Sequence, residues 1–372
     1  MIGTTMSNQA FYNDNRNVLP SIFLMVLLGS AAEVSAAPMV SFNYNIAYPT
    51  TAPHGAAWLQ SVNGINNSGT VVGQITDAYN YYGFVGNNLV AYPGSNTSYT
   101  VGVAAINNLN AILGNQYVNA QNSPLTNEFY STSANYTTAM PTGFIDGTSF
   151  SNPSFAGITD SGIVIGTANP AVGEGYTYLF SYDTANQTLT KTDLPFVDSS
   201  IIGSSVYTKT YCSLAPADLV VQATAVSSDG TWVAGNYSYN KENTFGLFTY
   251  NTMTKKFKQF YKSTANPNLS QNWVTGININ GVLVGWQSFY AAVGPANKQY
   301  TGSGFVYDAN KGMTLVANVV EPKSGNMGST AIQGINDKGV MVGNSQAPDQ
   351  PCPGEPNATC GGQNYFFTAT YK

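Results

Sequence analysis

A ten-residue phrase, Gly64-Ile65-Asn66-Asn67-Ser68-Gly69-Thr70-Val71-Val72-Gly73, occurs six times in this chain, in variants that begin at Gly64, Ala105, Gly157, Ala225, Gly276 and Gly334. Intervals of 41 to 68 residues separate the copies. A unit recurring on that scale cannot bury its own apolar face, so its neighbours must stack or wheel against it into a repeat architecture.

Position by position the phrase reads as a tight β-hairpin. Its third place holds Asn66, Asn107, Thr159, Ser227, Asn278 and Asn336, short side chains whose oxygens cap turns by bonding to the backbone. Three residues later stand Gly69, Asn110, Gly162, Gly230, Gly281 and Gly339. These are the residue types that tolerate a positive φ, as a type I turn with a G1 bulge requires. Short apolar and β-branched runs such as Thr70-Val71-Val72 and Val282-Leu283-Val284 follow and predict strands buried on both faces. Each run ends in a glycine, at 73, 114, 166, 235, 285 or 343, where a missing side chain lets another backbone approach.

An aromatic third strand follows most hairpins, as in Tyr82-Gly83-Phe84-Val85, Tyr178 to Tyr182, Phe245 to Tyr250 and Gly304 to Tyr307, and a fourth strand follows that. The second copy fits worst, offering only Glu128-Phe129-Tyr130 and a weak run near Tyr136. Four strands per copy and six copies predict an all-β fold, a six-bladed β-propeller of four-stranded antiparallel blades. The last copy lacks a fourth strand after 365–371, while 40–48 stands before the first repeat with no repeat of its own. The N-terminal segment is therefore expected to complete the blade that contains 365–371 and to close the ring, removing exposed edges. One propeller domain is expected over 37–372, with repeats starting near 60, 101, 153, 221, 272 and 330.

The pattern G-I-N-x-x-G-x-x-V-G followed by an aromatic strand resembles the HAF-type extracellular repeat of bacterial secreted proteins. Departures are Asn110 at the turn glycine, the extra residue before Gly235 after Ser227, and the poor outer strands of copy two. The resemblance implies extracellular placement and implies no activity, and it brings no catalytic residues with it.

Residues 18–29 form an apolar core followed by Val34-Ser35-Ala36, the pattern of a signal peptide over 1–36. No second hydrophobic span follows, so a secreted or cell-surface protein without a membrane span after cleavage is expected. Charged residues make up 8% of the chain, the formal net charge is -5, and Arg16 is the only arginine. With no basic cluster, nucleic acid is not an expected partner. In an oxidising compartment Cys352 and Cys360 are expected to close a small disulfide loop, leaving Cys212 as a buried free thiol.

Chemistry is far less legible. His54 has no second histidine, no G-x-S-x-G elbow exists, and an arginine-free mature chain lacks the guanidinium cluster with which sialidases hold a carboxylate. No cofactor is expected; Asp160, Asp229 and Asp337 look turn-forming and each stands nearly alone, whereas calcium gathers six or more oxygens. The connections between second and third strands look long, at 77–81, 116–127, 169–176, 237–243, 287–301 and 345–364. They carry tyrosines among amides, including Tyr79, Tyr81, Tyr176, Tyr239 and Tyr290. Rings that stack on sugar faces beside amides that bond hydroxyls suit a glycan, so the leading expectation is a non-catalytic binding or adhesion module for a glycan or a protein partner. The alternatives are a self-assembling surface protein and a metal-dependent hydrolase or lactonase using the central channel.

Overall fold

The computed structural model describes residues 41–77, 79–90, 99–120, 123–131, 150–170, 178–194, 219–239, 244–263, 270–293, 297–316, 329–346, 350–352, 355–360 and 364–371. The expected leader, Cys212, Tyr176 and the run near Tyr136 lie outside them. Within them the chain is all-β, with no helix among the described residues.

Three short strands come first: β1 (Ser41–Asn43), β2 (Thr51–Ala52) and β3 (Gly55–Ala56), the last two forming a hairpin. Blade 1 is β4 (Trp58–Ile65), β5 (Val71–Thr76), β6 (Tyr81–Val85) and β7 (Asn88–Val90). Blade 2 has three strands among the described residues, β8 (Tyr99–Ile106), β9 (Ile112–Ala120) and β10 (Ser123–Ser131). Blade 3 is β11 (Phe150–Ile158), β12 (Ile163–Pro170), β13 (Tyr178–Asp183) and β14 (Thr188–Asp193). Blade 4 is β15 (Leu219–Val226), β16 (Trp232–Tyr239), β17 (Thr244–Asn251) and β18 (Lys256–Ser263). Blade 5 is β19 (Ser270–Ile277), β20 (Leu283–Val293), β21 (Asn297–Asp308) and β22 (Gly312–Val316). Blade 6 takes β23 (Ser329–Ile335), β24 (Val340–Gln346) and β27 (Asn364–Thr370), and carries the small hairpin β25 (Gln350–Cys352) and β26 (Glu355–Cys360) between the last two.

The ring closes as the odd segments at the two ends of the repeat predict. β1 pairs antiparallel with β27, Ser41 opposite Thr370 and Asn43 opposite Thr368, and becomes the fourth strand of blade 6. Phe42 meets Phe367 edge to face at 5.0 Å and joins the apolar cluster between blades 5 and 6.

The phrase folds as its residues dictate. All six turn residues have positive φ, from 63° at Asn110 to 83° at Gly69. Asn66 Oδ1 accepts from the N–H groups of Ser68 and Thr70, and Asn107, Asn278 and Asn336 repeat the pattern. Thr159 and Ser227 do the same with a hydroxyl, accepting from the N–H groups of Ile163 and Trp232.

The phrase-ending glycine has a use beyond close approach. In every blade it lies opposite the residue at which the innermost strand slips register, as with Val62 and Gly73 or Val274 and Gly285. One residue is thereby bulged out: Asn63, Ala104, Ala156, Thr224, Thr275 or Gln333. A Cβ on Gly285 would overlap the Trp273 carbonyl oxygen and crowd the Phe305 ring, so the bulge and the aromatic third strand together demand glycine there.

Blades pack face to face through small apolar clusters. Val72, Val85 and Val90 of blade 1 meet Val101, Val103, Ile112 and Phe129 of blade 2, while Val306 and Val316 of blade 5 meet Ile332 and Phe367 of blade 6. Two of the expected long loops are instead extended hairpins. β9 and β10 pair continuously from Ile112 to Ala120, and β20 and β21 from Leu283 to Val293. The reason is register: a ladder already set by the buried blade core continues outward as matched cross-strand pairs such as Val118 with Leu125 and Tyr290 with Tyr300.

Candidate functional site

The six hairpin turns converge at one end of the central channel and tie themselves shut. The third-position amides that cap their own turns also reach across to the next blade. Asn66 Nδ2 donates to the Asn107 carbonyl (3.3 Å), Asn107 to Thr159 (2.7 Å), Asn278 to Asn336 (3.3 Å) and Asn336 back to Asn66 (2.8 Å). Thr159 and Ser227 have no amide to send onward, so the two seams flanking blade 4 lack this bond.

At the next position of the turns, the side chains of Asn67, Asn108, Asp160, Ser228 and Asp337 bond across blades. Asp337 Oδ2 accepts from Ser228 Oγ (2.7 Å), Asn67 Nδ2 (2.8 Å) and Asn108 Nδ2 (3.3 Å), and Oδ1 accepts from the Ile279 N–H (3.2 Å). Asn108 also bonds both oxygens of Asp160. Asp160 and Asp337 are therefore not the isolated turn residues that the sequence suggests. They converge on one amide, which the sequence hid because 177 positions separate them. Asp229 does serve its own turn, accepting from Ser227 and Thr231. No group of three His, Cys, Asp or Glu side chains gathers among the described residues.

Beyond this floor, about 10 Å along strands that rise roughly 3.3 Å per residue, the channel widens into a cavity of about 530 Å³. Five of the six bulged residues line it: Asn63, Ala104, Thr224, Thr275 and Gln333. The bulge aims these side chains at the axis, since an unpaired extra residue turns away from the ladder. Asn115 and Gln222 add amides, and Trp273 and Trp286 supply an aromatic wall. The two indoles stack with centroids 6.0 Å apart and planes inclined by 22°. Trp273 Nε1 is buried with no acceptor among the described residues. Among the described residues no charged side chain lines the cavity.

Sequence reasoning missed this site, although a signal was present. The residue just before each phrase is the one that bulges, in five of the six copies into the channel, and it is polar in four of the six.

Of the tyrosines expected to bind, Tyr79 and Tyr81 lie elsewhere. Tyr79 and Tyr81 stand at the end of blade 1 away from the phrase turns, 77% and 43% exposed, and Trp58, aligned with Tyr81 through Thr76, is 53% exposed. Tyr239 and Tyr290 are ladder residues of β16 and β20 rather than loop residues; their side chains, like Tyr176, lie outside the described residues. The register of the small hairpin sets Cys360 opposite Gln350 and Cys352 opposite Glu355, with both thiols outside the described residues.

His54 is not a bare loop residue either. The loop that presents Tyr79 is knotted around Asp77, whose buried carboxylate accepts from the N–H groups of Tyr79, Asn80 and His54, from His54 Nδ1 (3.0 Å) and from Tyr82 Oη (2.9 Å). Burial alone would push the Asp77 carboxyl up; the bonds from Asn80, Tyr82, Tyr79 and His54 together outweigh it and hold the acid well below the usual carboxylate range. This knot pins the β2–β3 hairpin, which carries His54, to blade 1.

No protein-family model matches the chain, and no curated protein matches it in sequence. Solved structures similar in backbone include an ulvan lyase of polysaccharide lyase family 25 bound to -[GlcA(1-4)Rha3S]-, with a TM-score of 0.38 and 8% identity over 89% of this chain and 86% of that one. Prolyl oligopeptidase B from Galerina marginata gives a TM-score of 0.39 and 8% identity over 78% of this chain and 38% of that one. AofleA from Arthrobotrys oligospora gives 0.26 and 10%, over 71% and 70%. Likeness at these levels carries no argument about what this chain does.

Proposed function

We propose that this propeller is a non-catalytic binding module for an uncharged carbohydrate chain, held at the cavity of its central channel and acting outside the cell. The stacked pair Trp273 and Trp286 carries the reading. Aromatic faces take the apolar face of a sugar ring, and the surrounding amides of Asn63, Asn115, Gln222 and Gln333 can both donate to and accept from hydroxyls. The buried N–H of Trp273 needs an acceptor, and leaving such a donor unpaired costs roughly 1–3 kcal/mol. A neutral lining above a floor bearing two carboxylates favours uncharged sugars over uronates or sulfated chains, whose desolvated charge would find no partner.

The test is binding of the full mature chain to an array of neutral and anionic glycans, repeated with Trp286→Ala. Neutral ligands should be retained and should weaken at least about tenfold in the variant. A preference for anionic chains, or a variant that binds like the parent, would overturn the reading. The exposed group Trp58, Tyr79 and Tyr81 offers a second surface for the same class of ligand, and loss of binding in Tyr79→Ala/Tyr81→Ala with Trp286→Ala unaffected would move the site there.

A further inference from the structure

The seam between blades 3 and 4 differs from those that follow blades 1 and 5 in a way that points to a second site. Ser181 and Thr192 occupy the ladder positions that Val85 and Val90 hold in blade 1 and that Val306 and Val316 hold in blade 5; in all three blades the preceding Phe lies opposite the phrase glycine. The four valines are buried against the next blade. Blade 3 presents hydroxyls in their place, and the hydroxyls of Ser181, Thr190 and Thr192 make no hydrogen bond among the described residues.

Two further observations fall on the same seam. Thr159 cannot supply the amide that ties its neighbours together at the turns. A cavity of about 330 Å³ opens there, its hydroxyls supplied by Ser181, Thr190, Thr192, Thr159, Ser161 and Thr252, over a floor that includes Ile165, Leu179 and Tyr250. Asp229 and Lys255, one charge of each sign, also line it. The blade 3 and blade 4 cores still pack through Ile165, Leu179, Val221 and Tyr250, but two positions that are valine in blades 1 and 5 carry hydroxyls here, and unspent hydroxyls beside an apolar floor are the composition of a polar-ligand pocket. Its volume sits at the small end of ligand sites, roughly 300–1,000 Å³.

We infer that this seam binds a single uncharged polyhydroxylated ring, a monosaccharide unit, with its C–H face on the apolar floor and its hydroxyls on Ser181, Thr190 and Thr192. Hydroxyls that both donate and accept match a polyol, and the opposite charges of Asp229 and Lys255 leave no net charge for an ion to neutralise. This site is separate from the channel and does not rest on the reading given to it.

A panel of uncharged methyl glycosides, the glucoside, mannoside, galactoside and fucoside, is titrated into the full mature chain and followed by two-dimensional NMR. The comparison is with Ser181→Val/Thr192→Val, which installs the valines that blades 1 and 5 carry at these positions. At least one glycoside should bind, the double variant should weaken it at least about tenfold, and its thermal midpoint should rise because unpaired hydroxyls are replaced by apolar groups of similar shape. Trp286→Ala should leave the titration unchanged. Failure of the whole panel to bind, equal binding by the double variant, or loss in Trp286→Ala alone would overturn the inference, the last by assigning the sugar to the channel.

Discussion

Asp77 concentrates more consequence than any other single side chain of blade 1. Its carboxylate is buried and accepts five hydrogen bonds, so its charged form belongs to the folded state. Because its folded pKa is depressed, the stability it contributes is fully present above the unfolded value of about 4. That contribution is lost as pH falls through the lower folded value. Asp77→Asn should therefore lower stability at neutral pH by about 1–3 kcal/mol and flatten the acid limb of a stability profile measured by urea unfolding between about pH 2 and pH 7. An unchanged acid limb would mean that the knot is not coupled to global unfolding. At this scale the sequence spoke unevenly. Asn66 and Gly69 announced their turn because capping and positive φ are local requirements. Asp77 looked like any loop acid, since its partners His54 and Tyr82 are gathered by the fold.

The strands were legible for the same local reason, and their lengths were not. Runs such as Val71-Val72 and the aromatic third strands identify themselves by β-propensity, and the orphan segment before the first repeat pointed to the missing strand of blade 6. The outward extension of β9 with β10 and of β20 with β21 depends on pairing across the hairpin, which a search for apolar runs does not see. The bulge was hidden more deeply. It requires knowing that Gly73 faces Val62 across two strands, and without it Asn63 and Thr275 look like ordinary strand residues. The closing strand offers a direct test at this scale. Phe42 is partly buried against Phe367, so Phe42→Ala should cost about 2–3 kcal/mol, somewhat below the roughly 3–5 of a fully buried Phe. Deleting 41–43 should leave β27 as a bare edge and produce concentration-dependent association, read by light scattering.

Across the whole molecule the ring is unevenly fastened. Four seams carry an asparagine amide from one turn to the next, whereas the two flanking blade 4 rely on Asp160 N–H to the Ser228 carbonyl and on side chains such as Thr224 and Asn236. Those two seams should open first. Thr159→Asn, which supplies the missing amide toward blade 4, should stabilise the protein by about 0.5–1.5 kcal/mol and slow amide hydrogen exchange along β15; faster exchange would show that the seam cannot accept the bond. Closure itself has a cost in time. Ser41 finds Thr370 across 329 positions, and although the entropy of joining distant ends grows only slowly with length, the partner must exist before it can be met. β1 is made before β27, so blades 1 to 5 can form while the wheel is still an open arc, and blade 6 is finished only by the pairing that turns the arc into a circle.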